Sequence, residues 1–464
     1  MTKQHNKWLE LAIVLSAPLL SVIDVFIINV AAPSIKKGVH ATDAEIQLVI
    51  AGYLLGYAAF LITGGRAGDH FGRKKVFFWG MLAFTVASCL CGLSTTPLQL
   101  NITRFFQGLS ASFMVLQTIA FIQILFTDVK ERAKAIGMFG ITLGVAAVTG
   151  QVLGGYLSDT HWTVAGWRLI FFINLPIGIA TLWATYKYVN ETKVNQGSKF
   201  DYSGIMILTL ALFNLIFPLI EGREKGWPLW SIALLVSSVA VFIYFVRDQN
   251  KKLANNANPL IDMRVFRIKD FNIGLIAVLF HFMLHTSYLL LSAVYLQNGL
   301  KVSALDCGLY FILPGVLFTA SSVMASKLIV RFGKRVLQVG VVILAAAFIL
   351  QLLLLKPGAP ASLIVLLMGT WGFGNGMVLP SLLNIALKSV PTEYAGAAAG
   401  IYSTFQQTAS ALGVSIIGGI FFYFAKDGWQ AAYHSGIIAI LVCTGLVGLM
   451  LYLLPEGKEY ECFF

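Results

Sequence analysis

The chain has 464 residues, of which 58% are hydrophobic and 12% charged, against roughly 45–50% apolar and about 25% charged in an ordinary soluble domain. An apolar excess of that size has no interior to fill, which excludes a soluble fold and leaves a protein solvated by lipid. The formal net charge of +12 would suit a nucleic-acid partner, but the Lys and Arg lie in short stretches between apolar runs, so no nucleic acid is expected.

A bilayer core about 30 Å thick is crossed by about 20 apolar residues in a helix. Met1 to Lys7 is polar and leads into an apolar run with no small-residue cleavage site, so this run is expected to be a retained helix and not a signal peptide. Breaks at charged and Gly/Pro clusters then predict spans at 10–33, 45–64, 76–94, 98–126, 134–158, 168–188, 202–220, 229–247, 271–296, 303–330, 336–355, 360–386, 394–424 and 435–455. The 43 glycines and 34 phenylalanines suit such helices, where small residues admit close backbone approach. Cys89, Cys91, Cys307, Cys443 and Cys462 follow no metal-ligand spacing. Neither a disulfide framework nor a metal site is expected.

With the N-terminus inside, the inner segments hold most of the basic residues, from Lys3, Lys7, Arg66 and Arg73 to Lys388 and Lys458. The outer ones hold Lys36, Lys37, Arg168, Arg223, Lys225, Lys301, Lys356 and Lys426. That asymmetry places both termini in the cytoplasm. The longest polar interruption, Arg247 to Asp270, contains Asn255, Asn256, Asn258 and Pro259 and reads as a linker. A weak echo joins the halves: Gly65 to Lys75 follows the second span, and Ser326 to Arg335, with Phe332-Gly333 inside it, follows the tenth. The expected architecture is an all-α polytopic protein of two six-helix bundles with two extra helices between them. Its units are 1–190 (first bundle), 191–250 (inserted pair), 251–270 (linker) and 271–464 (second bundle), with a site between the bundles.

Asp24 is the most informative residue, because an ionised carboxylate inside hydrocarbon is costly unless paired, hydrated or protonated. At 1.5 Å per residue it lies about 21 Å from an inner boundary near residue 10, and Arg104 lies about 9 Å below the outer boundary, at a similar depth. Two readings stand: Asp24 binds and releases a proton under the influence of Arg104, or the two form a static pair tying span 1 to span 4. The segment Gly65 to Lys75 packs glycines, one acid and four bases into a tight turn, with Gly68 and Gly72 permitting turn conformations. Span 5 carries Gly137, Gly140, Gly144, Gly150, Gly154 and Gly155, at spacings that let helices meet closely. His281 and His285 share one face of span 9, about 15 and 21 Å from an inner boundary near residue 271. They are packing residues, pH-sensitive groups or substrate ligands; without Cys or acid in register they make a poor metal site. No embedded acid is expected in spans 9–14. Further cavity candidates are Asn29, Tyr53, Tyr57, Gln107 and Gln117 in the first half and Trp371, Asn375, Tyr402, Phe405 and Gln406 in the second. Each is equally an interhelical hydrogen-bonding or packing residue.

The runs Asp24 to Pro33, Gly64 to Lys75, Arg104 to Gly108, Gly150 to Gly155 and Trp167 to Pro176 resemble the major facilitator superfamily, and within it the fourteen-span drug:proton antiporters. The resemblance covers essentially the whole chain and is strongest in the first half. It implies export of amphipathic small molecules or drugs, cations among the candidates, by alternating access across a bacterial cytoplasmic membrane. Protons drive the cycle, with no cofactor and a monomer as the working unit. It assigns proton coupling to Asp24 and Arg104. It makes Gly65, Gly68, Asp69, Gly72 and Arg73 a cytoplasmic latch between bundles in the outward-facing state, with Asp128 or Glu131 as partners of Arg73. The span 5 stretch over Gly140, Gly144, Gly150, Gln151, Gly154 and Gly155 matches the antiporter motif, except that Gln151 stands where that motif usually has Pro, removing an expected kink.

An alternative within transport is a dedicated exporter of one metabolite or lipid-like compound. Against an enzyme stand the absence of a nucleophile or metal constellation in the spans, and no phosphate loop marks an ATP-driven pump. The topology is checked by labelling: in a cysteine-free variant carrying Lys458→Cys, a membrane-impermeant thiol reagent added outside whole cells is expected to leave the cysteine unmodified.

Overall fold

In hydrocarbon every backbone N–H and C=O must bond within its own segment, and among the described residues the chain meets this with fourteen membrane-length helices. Spans 1 to 4 are Lys7–Gly38, Asp43–Phe71, Arg73–Leu93 and Pro97–Leu125. Spans 5 to 8 are Lys130–Ser158, Gly166–Tyr188, Tyr202–Glu224 and Leu229–Ala254. Spans 9 to 14 are Lys269–Gly299, Ala304–Ile329, Arg335–Leu354, Ala361–Leu387, Ala398–Asp427 and Trp429–Leu453. The computed structural model describes residues 6–160, 165–191, 201–255, 257, 259–391 and 394–454. Lys3, Lys193, Lys199, Asn256, Asn258, Lys458 and Cys462 lie outside the described residues.

Helix starts follow local chemistry. Thr42 and Glu45 form a reciprocal capping box at span 2, Thr96 caps span 4 one residue before Pro97, and Asp128 caps span 5. Span 2 does not stop where its glycines begin. The helix runs through Gly64, Gly65 and Gly68 to Phe71 and breaks only at Gly72, whose φ is +98°. The expected turn over Gly65 to Lys75 therefore shrinks to one residue. The physical reason is packing: a methyl group at Gly64 would lie 2.4 Å from the Ser112 carbonyl oxygen, and one at Gly68 would lie 2.0 Å from Gln117 Oε1. These glycines admit span 4. Gly333, the counterpart of Gly72 in the second half, also has positive φ, at +58°, so the sequence echo corresponds to two equivalent turns.

The polar interruption before span 9 is also shorter than expected, because span 8 stays helical to Ala254. Buried Asp201, which caps span 7, anchors what remains. It accepts from Gly204 N at 2.8 Å, Lys252 Nζ at 2.6 Å, Gln249 Nε2 at 2.9 Å and Leu260 N at 2.9 Å. Burial alone would raise its carboxyl, but bonds from Lys252, Gln249 and the two backbone N–H groups outweigh that and hold it at about 2. Arg66, near the end of span 2, donates to the Pro259 carbonyl at 2.8 Å, so the linker is tied to the first half as well.

Helix packing repeats with an offset of eight spans. Span 1 lies against span 5, span 2 against span 4, and span 3 against spans 4 and 6; likewise span 9 lies against span 13, span 10 against span 12, and span 11 against spans 12 and 14. Spans 1–6 and 9–14 are thus two six-helix bundles with one packing plan. Spans 7 and 8 pack on each other, and span 7 lies along the seam where span 2 of the first bundle meets span 13 of the second. The bundles also meet where span 5 faces span 10 and where span 1 faces span 9.

Spans 2 and 4 approach closely, and a methyl group at Gly108 would lie 1.9 Å from the Tyr53 carbonyl oxygen. Gly108→Ala is expected to destabilise the protein by about 1–3 kcal/mol through overpacking. Gly137→Ala, at a glycine with nothing within 4 Å, is expected to leave the detergent Tm unchanged or raise it; thermal unfolding of both variants checks this.

Candidate transport site

The chain order places Asp24 and Arg104 on neighbouring spans 1 and 4, and the structure brings them into direct contact. Arg104 Nη1 donates to Asp24 Oδ2 in an ion pair whose side chains are 1% and 0% exposed. Gln107, one turn from Arg104, spans the pair: its Oε1 accepts from Arg104 Nη1 and its Nε2 donates to Asp24 Oδ1, each at 2.8 Å. Asn174 of span 6 reaches the same Oδ1 at 3.4 Å and donates to Ser88 Oγ of span 3 at 2.9 Å. Arg104 Nε donates to the Val49 carbonyl of span 2 at 3.0 Å, and the guanidinium sits 4.5 Å above the Tyr53 ring. Tyr53 in turn shares a 2.8 Å hydrogen bond with Ser21 of span 1. Spans 4 and 6 thus bond the buried carboxylate of span 1, and spans 2 and 3 bond the groups that hold it.

Asn174 as a partner of Asp24, Ser88 as its support and Val49 as a partner of Arg104 are absent from the sequence candidates. Asn174 stands in a recognisable motif, but nothing in a linear pattern aims its amide at span 1. Val49 contributes a carbonyl oxygen, which carries no residue-type signal at all.

In the second bundle, His285 stacks on Trp371 of span 12 with ring centroids 5.8 Å apart and planes at 15°, and its Nδ1 lies 3.1 Å from Asn375 Nδ2. Tyr288 packs on the other candidate ring, 4.3 Å from Trp371. Phe26 of span 1, two residues from Asp24, meets His285 edge-on at 6.5 Å. His281 is fully buried one turn away, and among the described residues Trp371 Nε1 has no hydrogen-bond partner. Among the described residues no group of three His, Cys, Asp or Glu is arranged to hold a metal. Asp306 and Asp270 stand in the first turns of spans 10 and 9.

The remaining candidates divide. Tyr57 meets Tyr53 edge-on, with centroids 6.2 Å apart. Gln107 belongs to the Asp24 network, and Gln117 ties span 4 to span 2 through the Gly64 carbonyl at 2.8 Å. Asn29 donates to the Val25 carbonyl of its own helix at 3.0 Å, leaving Oδ1 buried without a partner. Tyr402 is buried, Gln406 is half-buried, and Phe405 lies 6.5 Å from Phe266 beside the linker, toward the end of the bundle that carries Lys7.

The span 5 glycines are graded along the helix. At the end away from Lys7, a methyl group at Gly155 would lie 2.3 Å from the Ala304 carbonyl of span 10, and Gly150 and Gly154 sit against Ile23 and Ile27 of span 1. Midway, the nearest atom to a methyl at Gly144 is Thr319 Oγ1 at 3.7 Å, and Gly140 and Gly137 meet nothing within 4 Å. Spans 5 and 10 thus touch at the far face and part toward the Lys7 face. Gln151 is buried at the closed end with its amide unpartnered. Leu305 N donating to Asp159 at 2.9 Å and Gln297 Nε2 donating to the Val30 carbonyl at 2.8 Å add to the far seal.

At the Lys7 face, Arg73 pairs with Asp69 at 2.7 Å across the Gly72 turn. Asp128 is occupied as the cap of span 5, accepting Glu131 N at 3.0 Å, and Glu131 itself pairs with Lys7 at 2.5 Å. In this arrangement the two acids serve the first bundle internally. Glu191, absent from the sequence candidates, accepts the N–H groups of Lys74 and Lys75 at 3.0 and 3.2 Å and so caps span 3.

Comparison with known proteins places the chain as a whole among transporters. The sequence profile described as Major Facilitator Superfamily matches residues 14–414. A probable actinorhodin transporter of Streptomyces coelicolor is 34% identical over 90% of this chain and 73% of its own. The multidrug resistance protein Stp of Mycobacterium tuberculosis is 30% identical over 86% and 73%. Among solved structures, a bacterial homologue of the human lysosomal transporter Spinster, in an inward-facing and occupied conformation, shares the fold with a TM-score of 0.70 at 15% identity over 98% of this chain and 97% of that one.

Removing one member of a buried pair strands the other, at a cost of roughly 3–5 kcal/mol, whereas removing both strands neither. Asp24→Asn and Arg104→Gln are each expected to lower the detergent Tm, and the double variant to unfold above the sum of the two losses; a thermal double-mutant cycle measures the coupling.

Proposed function

The chain belongs to the major facilitator superfamily, and from that premise we propose that it is a proton-coupled antiporter exporting amphipathic small molecules by alternating access. As a member of that superfamily it is a multi-pass transporter and not an enzyme. We further propose that it works as a monomer in the cytoplasmic membrane of a bacterium, with both termini cytoplasmic and the proton gradient as its only source of energy. The Lys7 face is then the inner one, and the parting of spans 5 and 10 is an inward opening.

One observation carries the proton reading: Asp24 is a carboxylate with no exposed surface, bonded by Arg104, Gln107 and Asn174 in the middle of the first bundle. A protein that needed only rigidity would gain as much from apolar residues of similar volume. A carboxylate that exchanges its guanidinium partner for a proton as spans 1 and 4 shift supplies a charge change inside the membrane. Phe26 supports a link to the substrate, since span 1 carries Asp24 and also reaches His285.

A second reading has its own observation. The stack of His285 on Trp371, with Asn375 at its edge, suits one flat aromatic compound carrying hydrogen-bonding groups. It favours a dedicated exporter, as does the name of the actinorhodin transporter. Growth of a pump-deficient bacterium on cationic dyes, biocides and antibiotics separates the two: protection against several unrelated cations supports the multidrug reading, and protection against none supports the dedicated one.

Asp24→Asn keeps the size of the side chain and removes its exchangeable proton. In everted vesicles with a fluorescent pH probe, a transported compound is expected to trigger proton release in the wild type and none above background in Asp24→Asn. Release at the wild-type rate from the variant would remove Asp24 as the coupling residue.

A further inference from the structure

Span 7 ends at the far face with two adjacent side chains that reach different bundles. Arg223 Nη1 donates to the Gly419 carbonyl oxygen of span 13 at 2.7 Å. Glu224 accepts the backbone N–H of Ala44, in the first turn of span 2, at 2.9 Å. Span 2 belongs to the first bundle and span 13 to the second, so one dipeptide of the inserted pair joins both.

Each contact has a local reason to be there. The first turn of a helix leaves four N–H groups unbonded and carries partial positive charge. The Thr42–Glu45 capping box serves part of that set, and the Glu224 carboxylate takes the Ala44 N–H. On the other side Gly419 has no side chain, and a methyl there would lie 3.4 Å from Arg223 Cδ, so the guanidinium stem lies flat on span 13. Asp43, which pairs with Lys36 at 2.5 Å, and Glu224 both act electrostatically on Arg223. The bridge crosses the seam between spans 2 and 13, on the same face where spans 5 and 10 are sealed.

We propose that Arg223 and Glu224 form a clasp through which the inserted pair holds the two bundles together at the far face, and which must part when that face opens. The proposal rests on the alternating-access reading. Its consequence is that spans 7 and 8 act on the balance between the two open states, with no substrate contact of their own. The two bonds stand in series, first bundle to Glu224 and Arg223 to second bundle. Breaking either one opens the bridge, and breaking both does no more.

The test uses spin labels at Leu98→Cys and Lys356→Cys, exposed far-face positions in the first and second bundles, in full-length protein whose native cysteines are replaced by Ser. Electron–electron distance distributions are recorded in nanodiscs at acid and alkaline pH. R223A and E224A are each expected to raise the longer-distance fraction relative to the shorter by roughly fivefold, and R223A/E224A to match the single variants. K225A, whose residue pairs with Glu221 at the end of span 7, is expected to match the wild type. Glu224 is exposed, so E224A alone decides the matter if R223A yields no folded protein. Unchanged distributions in the variants, with two distances present in the wild type, overturn the clasp and leave alternating access standing. Additive effects in the double variant overturn the series arrangement. A single unchanging distance in the wild type at both pH values overturns the alternating-access reading and the clasp with it.

Discussion

Two opposite charges without access to water, Asp24 and Arg104, set the terms for the first bundle. In a medium of low dielectric their mutual attraction roughly balances the cost of dehydrating them, so the pair survives only if the remaining lone pairs and protons are also bonded. Gln107, Asn174 and the Val49 carbonyl do that bonding, and they come from spans 4, 6 and 2. The relative rotation of these helices is therefore constrained by a polar centre and not only by apolar packing, whose ridges tolerate slippage. Span 5 stands outside this network and reaches span 1 through glycines instead.

The second bundle follows the same packing plan with different chemistry. Where the first has an ion pair, the second has packed rings: His285 stacked on Trp371, Tyr288 tilted against Trp371 and, near the far face, Tyr295 stacked on Tyr433 with centroids 4.2 Å apart. Ring stacks are less directional than charge-assisted bonds and lose less when a neighbour shifts. The architecture is symmetric, yet a buried ion pair lies in one bundle and a cluster of packed rings in the other. Span 1 connects them, with Asp24 turned into its own bundle and Phe26 turned toward His285.

The helix count was legible because a bilayer demands long apolar runs, and all fourteen spans stand near the residues that composition indicates. Two kinds of feature were not. Glycine reads as a turn residue, yet Gly65 and Gly68 are helical because span 4 presses against that side of span 2, a fact of tertiary contact. The charged stretch after span 7 reads as a plain outer loop, although Arg223 and Glu224 find partners almost 200 positions away. At the site, Asp24 and Arg104 announced themselves by being charges in hydrocarbon. Asn174 and Ser88 are polar residues of the kind that helix packing uses everywhere, and Gln117 and Gln107 look alike in sequence while one bonds a backbone carbonyl and the other bridges an ion pair.

The far contact between spans 5 and 10 is made largely of bare backbone, with Gly155 against Ala304 and Gly308 against Gln151. Dispersion forces between such surfaces fade steeply, a gap of about 0.5–1 Å forfeiting a quarter to a half of the attraction. Under the alternating-access proposal such a seal would let go as a unit, because a small separation already forfeits much of its hold.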